Sequence, residues 1–224
     1  MPEPPSRRAA EPSPYPTPAK ICGLTRPEDA ALAVRLGARF LGVIFAGGPR
    51  QVTLEQARAV VGGASQVPVI GVFSSQGEGE ILGTCREAGL AGAQLHGDHT
   101  PGLIARLEQA GLLVLPVVRL GGLEDLERLT PFAGPGGPVL IEPRIPGKLG
   151  GTGVPLALEL ARAARERLAH RTLVLAGGLT PETVADAVRE IRPDVVDVSS
   201  GVEQIPGVKD PVRLARFLEV LGWH

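Results

Sequence analysis

Two kinds of segment alternate along the chain from Lys20 onward. Short runs rich in valine, leucine and isoleucine are each followed by a stretch in which apolar residues recur every three or four positions. Runs of the first kind indicate buried strands, and the second spacing indicates amphipathic helices. The predicted strands lie at 19–24, 40–45, 68–74, 92–97, 113–119, 138–143, 172–177 and 194–200. The predicted helices lie at 27–37, 53–63, 78–89, 101–111, 123–130, 154–169, 181–191 and 211–221.

The number of these units predicts the fold. Eight strand-then-helix units in about 200 residues match a (β/α)8 TIM barrel. A doubly wound open sheet also alternates strands with helices, but it commonly has five or six strands. Its glycine-rich fingerprint would follow the first strand, where the chain has only Gly23. The pattern therefore predicts a single α/β domain, a (β/α)8 barrel that spans 19–224.

The first 18 residues differ in composition from the rest of the chain. The segment MPEPPSRRAAEPSPYPTP contains seven prolines, no apolar stretch and balanced charge. Such a composition cannot bury a core, so we predict a flexible proline-rich tail at 1–18. The segment also lacks the apolar region of a secretory signal.

Composition and charge exclude several classes of function. The formal net charge is −1 at pH 7, which predicts no basic surface for nucleic acid or for an anionic membrane. No apolar run approaches the roughly 20 residues of a membrane span. The two cysteines, Cys22 and Cys85, form no disulfide framework and cannot make a zinc site by themselves. We therefore expect a cytoplasmic protein that binds neither nucleic acid nor membranes.

Polar residues at the predicted strand ends are the candidates for function, because TIM barrels carry their active sites at the carboxyl ends of the strands. These candidates are Cys22, Arg50, Gln94, His96, Glu142, Asp197, Ser199 and Ser200. Residues two apart on a strand share one face. Gln94 and His96 are therefore predicted to point the same way.

Glycine-rich turns end the last two predicted strands. Gly177 and Gly178 end the seventh, and Ser199, Ser200 and Gly201 end the eighth. Glycines let backbone N–H groups approach an anion, and barrels often bind phosphate in these two loops. Glycines also close ordinary turns. We predict that these five residues bind the phosphate of a small molecule, of which a sugar phosphate is the class indicated.

The ordered motifs resemble those of the phosphoribosylanthranilate isomerases, barrel enzymes of tryptophan biosynthesis. From Lys20 to the C-terminus they read KICGLTRPEDA, LGVIFAGGPRQVT, VPVIGVF, GAQLHGD, GGTG, LAGGLTPETV and DVSSGVEQIPGVKD. The resemblance implies the Amadori rearrangement of N-(5-phosphoribosyl)anthranilate to 1-(2-carboxyphenylamino)-1-deoxyribulose 5-phosphate. It implies a small phosphoribosyl substrate and neither a metal nor an organic cofactor. The sequence leaves monomer or homodimer open.

The resemblance also implies roles for individual residues. Cys22 in KICG would be the general base that removes the proton from C2 of the sugar. Arg50, in the Pro-Arg pair after strand 2, would bind the anthranilate carboxylate. His96 and Asp197 would lie in the substrate pocket, and residues 151–153 would shape the loop after strand 6.

One residue departs from the family pattern. Members usually have an aspartate as the general acid at the end of strand 6, and this chain has Glu142 there. Glutamate keeps the carboxyl group but adds a methylene, which moves the group by about 1.5 Å. Misplacement by about 1 Å can cost roughly 100-fold in rate. We expect Glu142 to be the acid, with Pro143 or the loop through Gly147 compensating for its length.

Alternatives remain open at this point. A related phosphosugar enzyme, such as an indole-3-glycerol-phosphate synthase, would need catalytic lysines at strand ends, and only Lys20 lies close to one. A phosphoribosyl-binding barrel with weak or no activity would be supported by Glu142 alone. Cys22 itself could be a buried structural thiol or half of a disulfide with Cys85. Cys85 lies in the third predicted helix, on the outer ring, and a disulfide needs Cα atoms within about 7 Å.

Overall fold

Eight parallel strands close into a barrel in the order in which they follow one another along the chain. The computed structural model describes residues 16–97, 99–145 and 154–223. The strands are β1 (Ala19–Ile21), β2 (Phe40–Ile44), β3 (Val69–Phe73), β4 (Gly92–Leu95), β5 (Leu113–Leu120), β6 (Val139–Pro143), β7 (Leu173–Ala176) and β8 (Val195–Val198). Each strand pairs with the next, and β8 pairs with β1. The predicted (β/α)8 barrel is confirmed.

Helices follow the strands and cover the outside of the barrel. They are α1 (Pro27–Arg35), α2 (Leu54–Gly63), α3 (Glu78–Ala88), α4 (Pro101–Gln109), α5 (Leu158–Arg167), α6 (Val184–Ile191) and α7 (Pro211–Val220). Local chemistry starts several of them. Thr53 and Gln56 form a reciprocal capping box on α2. The Asp210 carboxylate accepts hydrogen bonds from the backbone N–H groups of Val212 and Arg213 at the start of α7. Among the described residues, no helix is long and apolar enough to cross a membrane.

The connection between β5 and β6 differs from the prediction of an α-helix. Leu123–Phe132 form a 3₁₀-helix. Their apolar residues recur every third position, which is the period of a 3₁₀-helix, whereas an α-helix would use spacings of three and four. Pro131 lies inside this segment and has no N–H to donate. Leu126 and Leu129 still bury their side chains beneath it.

An antiparallel hairpin that the pattern did not predict follows β8. It consists of β9 (Glu203–Ile205) and β10 (Val208–Lys209), after a short 3₁₀ turn at Ser200–Val202. The turn of the hairpin contains Gly207, whose φ of +84° favours glycine. Thr25 Oγ1 donates to the Gly207 carbonyl oxygen at 2.6 Å, which fixes the hairpin to the loop after β1.

The strands have an apolar layer on each side, one outside the barrel and one inside it. The larger layer lies between the barrel and its helices. The smaller one lies inside the barrel and consists of Leu115, Leu140, Val174, Ala176 and Val195. Because side chains alternate along a strand, β5, β6, β7 and β8 contribute buried residues to both layers. The inward positions nearest the carboxyl ends of the strands are then left for polar side chains.

Residues 16–18, the described end of the predicted tail, contact the barrel where β1 and β8 begin. Thr17 N donates to the Leu221 carbonyl oxygen at 3.2 Å, and Trp223 Nε1 donates to the Thr17 carbonyl oxygen at 2.9 Å. Val196 N donates to the Pro18 carbonyl oxygen at 3.0 Å. Residues 1–15 of the predicted tail, and residues 151–153 of the strand 6 loop, lie outside the described part of the chain.

Candidate active site

Cys22 follows β1 at the carboxyl end of the barrel and is 5% exposed. Its backbone N–H donates to the Val198 carbonyl oxygen of β8 at 2.8 Å. Gly42 on β2 provides the space for its thiol. A Cβ at Gly42 would lie 2.8 Å from Cys22 Sγ and 3.1 Å from Lys20 Nζ, and both distances are too short for ordinary contacts. The thiol and the lysine therefore share one inward face of the barrel.

Lys20 connects the strand that carries the thiol to two other strands. Its Nζ donates to Gln94 Oε1 on β4 and to Asp197 Oδ1 on β8, both at 2.9 Å. Burial of the ammonium group opposes its charge, but the nearby Asp197 carboxylate and Cys22 outweigh burial, so the pKa of Lys20 is raised. Lys20 is therefore a permanent cation beside the thiol, and Asp197 is its counter-ion.

The buried setting of Cys22 controls its ionisation. Burial is the largest influence and raises the pKa of the thiol, and the Asp197 carboxylate raises it further. Lys20 and Lys209 act in the opposite direction without overcoming burial. The pKa of Cys22 therefore lies above its ordinary value, and the thiol is the resting form at neutral pH.

Arg50 lies in the loop after β2 and forms an ion pair that the sequence did not predict. Its Nε donates to Glu203 Oε1 at 2.8 Å, and its Nη2 donates to Glu203 Oε2 at 2.7 Å. Burial opposes the charge of Glu203, but Arg50 and Lys209 outweigh burial and lower the pKa of that carboxyl group. Glu203 lies two residues after the DVSSG turn, and this position in the sequence could have identified it as a candidate site residue.

Glu142 is the next-to-last residue of β6, and its contacts are made through one carboxylate oxygen. His96 Nε2 lies 2.7 Å from Glu142 Oε1, and the donor is whichever of the two groups carries the proton. Arg119 Nε lies 3.3 Å from the same oxygen. Glu142 and His96 are 8% and 7% exposed. His96 and Arg119 thus approach the same carboxylate oxygen, Oε1.

Arg119 was not among the candidates from the sequence. It lies opposite Glu142 in the parallel register of β5 and β6. Strand alternation would have placed it on the inward face, which was the signal available for finding it. Glu142 Oε1 is therefore contacted by an imidazole that follows β4 and by a guanidinium group on β5.

A hollow at the ends of β7 and β8 corresponds to the predicted phosphate site. Its lining includes Gly178, Ser200, Gly201 and Arg213, together with Glu203. Gly178 has a φ of +64°. A Cβ at Gly201 would overlap the Leu179 carbonyl oxygen. Backbone N–H groups with no side chain in front of them suit a phosphate.

Two of the predicted phosphate residues lie beside the hollow. The backbone of Gly177 has a φ of +94° and packs so tightly on Pro143 that a Cβ would overlap its ring. Ser199 Oγ points toward the loop after β1, where it lies 2.6 Å from the position that a Cβ on Gly23 would occupy. This hydroxyl is buried and has no hydrogen bond partner among the described residues. Arg213, which the sequence analysis missed, donates from Nε to the Gly201 carbonyl oxygen at 3.0 Å.

The second cysteine lies away from this site. Cys85 is buried in α3 against the Gly92 carbonyl oxygen, and both cysteines are free, so the disulfide alternative is wrong. Burial raises the pKa of the Cys85 thiol to about 11. Within the described ranges, no group of three or more histidines, cysteines and carboxylates could hold a metal ion.

Comparison with known proteins gives the family. A family model described as N-(5'phosphoribosyl)anthranilate (PRA) isomerase matches residues 19–220. The N-(5'-phosphoribosyl)anthranilate isomerase of Symbiobacterium thermophilum is 40% identical over 216 residues, which cover 89% of this chain and 95% of that protein.

Solved structures of the same name share the fold. The phosphoribosyl anthranilate isomerase of Thermotoga maritima is similar with a TM-score of 0.82 at 32% identity, over 92% of this chain and 98% of that one. A phosphoribosyl anthranilate isomerase in complex with reduced 1-(o-carboxyphenylamino)-1-deoxyribulose 5-phosphate gives a TM-score of 0.78 at 32% identity, with the same coverage. On this evidence the chain belongs to the N-(5'-phosphoribosyl)anthranilate isomerase family.

Proposed function

We propose that this chain catalyses the Amadori rearrangement of N-(5-phosphoribosyl)anthranilate to 1-(2-carboxyphenylamino)-1-deoxyribulose 5-phosphate, a step of tryptophan biosynthesis. Family membership supports the reaction. The observation that carries the assignment of roles is the pair of reactive groups at the barrel mouth. A thiol directly follows β1 beside two lysines, and a carboxyl group lies near the end of β6 beside an imidazole.

Glu142 is the general acid in the first step. Its carboxyl group gives a proton to the furanose ring oxygen, the bond between C1 and that oxygen breaks, and the nitrogen lone pair forms the C1=N bond of a Schiff base. His96 and Arg119 both contact Oε1, and we assign Oε2 as the oxygen that carries the transferred proton. The positive charge of Arg119 stabilises the carboxylate that remains after the proton has left.

Cys22 is the general base in the second step. The resting thiol first loses its proton to solvent. The thiolate then removes the proton from C2, the electrons of that bond form C1=C2, and the C1=N electrons return to nitrogen to give an enolamine. The C2 hydroxyl then loses a proton and C1 gains one, which gives the ketone. The protons balance when Cys22 returns its proton to C1 and the hydroxyl proton restores Glu142.

Substrate binding is assigned to two further groups of residues. Arg50 has five N–H donors. Two of them, the one on Nε and one of the two on Nη2, are bound by Glu203. The donors left can bind the anthranilate carboxylate, a planar partner that suits a guanidinium group. Gly178, Ser200 and Gly201 bind the phosphate through their backbone N–H groups.

A turnover assay that follows the loss of substrate fluorescence tests this function. Cys22→Ala should lower kcat about 100- to 10,000-fold, the usual contribution of a general base. Cys85→Ala is the matched control, because it removes the other thiol from a helix on the outer ring, and its kcat should stay within about twofold of wild type. An inactive wild-type enzyme that still binds the substrate would favour the binding-barrel alternative. Full activity in Cys22→Ala would show that Cys22 is not the general base.

A further inference from the structure

Lys209 of β10 is 1% exposed and its ammonium group contacts three parts of the site. Nζ donates to the Cys22 carbonyl oxygen at 2.6 Å, to the Ser199 carbonyl oxygen at 3.1 Å and to Glu203 Oε1 at 2.9 Å. A buried ammonium group is costly unless its three hydrogens find acceptors. Here the acceptors come from the end of β1, the end of β8 and the first strand of the hairpin.

The backbone of Lys209 is also fixed. Its N–H donates to Asp29 Oδ2 at 3.0 Å, and Arg26 holds the same carboxylate from Nε at 3.0 Å. Glu203, the acidic partner of Lys209, holds Arg50 through both carboxylate oxygens. Lys209 therefore lies between the backbone of the proposed base and the anchor of the proposed carboxylate-binding arginine.

We propose that Lys209 is a positioning residue of this active site, which fixes the main chain of Cys22 and Ser199 and supplies a positive charge behind the thiol. This inference rests on the proposed role of Cys22 as the base. It accounts for a buried lysine on a hairpin that forms a sheet separate from the barrel. A lysine present only for folding would need acceptors, but not acceptors from these particular backbone positions.

The charges around the thiol support the electrostatic part of the proposal. Lys20 and Asp197 face Cys22 from inside the barrel, Arg50 faces it from the loop after β2, and Lys209 faces it from β10. Lys209 is one of the two lysines that lower the pKa of Cys22. Burial lowers the pKa of Lys209 itself, and Glu203 opposes that effect.

Alkylation of Cys22 by iodoacetamide at pH 7.5 measures the thiolate without turnover. In a Cys85→Ala background Cys22 is the only thiol, so mass spectrometry reports it alone. Lys209→Met should alkylate about five- to tenfold more slowly, because loss of a close positive charge raises a thiol pKa by about one unit. Lys209→Arg keeps the charge and should alkylate at nearly the wild-type rate.

Turnover gives the second readout. Lys209→Met should lower kcat by about tenfold or more while KM changes by less than about threefold, because the base is displaced and the carboxylate and phosphate sites keep their own donors. Arg216→Met is the control: it removes an exposed positive charge from α7, and both its alkylation rate and its kcat should equal those of wild type.

The outcomes separate this inference from the proposed function. If Lys209→Met does not fold, Lys209→Gln carries the same test, because it is neutral and keeps an N–H donor for the Cys22 carbonyl oxygen. A wild-type alkylation rate in whichever neutral variant folds overturns the role of Lys209. Full turnover in Cys22→Ala overturns the proposed base instead, and the alkylation result does not depend on it.

Discussion

Shortening Glu142 to aspartate tests the assignment of the acid most directly. The carboxyl group would withdraw by about 1.5 Å. The backbone cannot follow it, because Pro143 is packed against Gly177 without room for even a Cβ. The 2.7 Å contact between His96 Nε2 and Oε1 would open to about 4 Å, beyond hydrogen bond range. The contact of Arg119 with the same oxygen would lengthen as well.

The size of the effect follows from that lost contact. A hydrogen bond to a charged group contributes about 1.5–3 kcal/mol. Since about 1.4 kcal/mol corresponds to a factor of ten, Glu142→Asp should lower kcat about 10- to 100-fold. Glu142→Gln keeps the length of the side chain but has no acidic proton, so its kcat should fall about 100- to 10,000-fold.

The fluorescence assay for turnover, run on purified variants, decides between the outcomes. Glu159→Asp is the matched control, since it makes the same change on an exposed position of α5 and should leave kcat unchanged. If Glu142→Asp is as fast as wild type or faster, the site has not adapted to glutamate and the reasoning from Pro143 and His96 is wrong. If Glu142→Gln keeps full activity, the acid is a different group, with Asp197 the next candidate.

Three further predictions concern other parts of the molecule. Arg50→Met should raise KM by about tenfold or more with little change in kcat, as loss of a charge-assisted contact in binding would, and an unchanged KM would assign Arg50 to Glu203 alone. In Cys85→Ala protein the alkylation rate of Cys22 should rise about tenfold per pH unit from pH 7, and its midpoint should lie above the ordinary pKa of a thiol, because burial raises the pKa of Cys22. A midpoint below the ordinary pKa would mean that the lysines outweigh burial. A chain that starts at Pro16 should keep its Tm within about 2 °C, whereas a start at Ala19 removes three hydrogen bonds and should lower Tm by about 5–10 °C. Equal Tm values for the two truncations would show that these contacts contribute no stability.

The sequence predicted the barrel because its signals are local. Apolar runs and helical spacing repeat within each unit, and each unit contains its own strand and helix. The predicted strand at 138–143 differs from β6 (Val139–Pro143) by one residue. The prediction failed at Leu123–Phe132, where the apolar period is three, and at the hairpin of β9 and β10, whose strands are too short to show alternation.

The partners of the candidate residues could not be predicted, because they are far apart in sequence. Lys20 and Asp197 are separated by 177 residues, and Lys209 and Cys22 by 187. The predicted strand ends identified Cys22 and Asp197 as candidates. The pattern of residues within one strand, however, does not indicate which side chain of another strand will contact them. Closure of the barrel brings β8 next to β1 and makes the first pair, and the hairpin that follows β8 makes the second.

The charges around Cys22 explain how a buried thiol can serve as the base. Within the part of the chain that the structure describes, the charged side chains that surround Cys22 or its neighbours are Lys20, Arg50, Lys209, Asp197 and Glu203. With three cations and two carboxylates, this cluster carries one excess positive charge while Cys22 is a thiol, and it becomes neutral when Cys22 is a thiolate. A buried uncompensated charge is costly, so the thiolate gains from this balance part of what it loses by burial. A neutral base such as imidazole would leave the excess charge in place and would add a second one on accepting the proton from C2. The cluster therefore favours a base that is negative before the proton arrives, which a thiolate is and an imidazole is not.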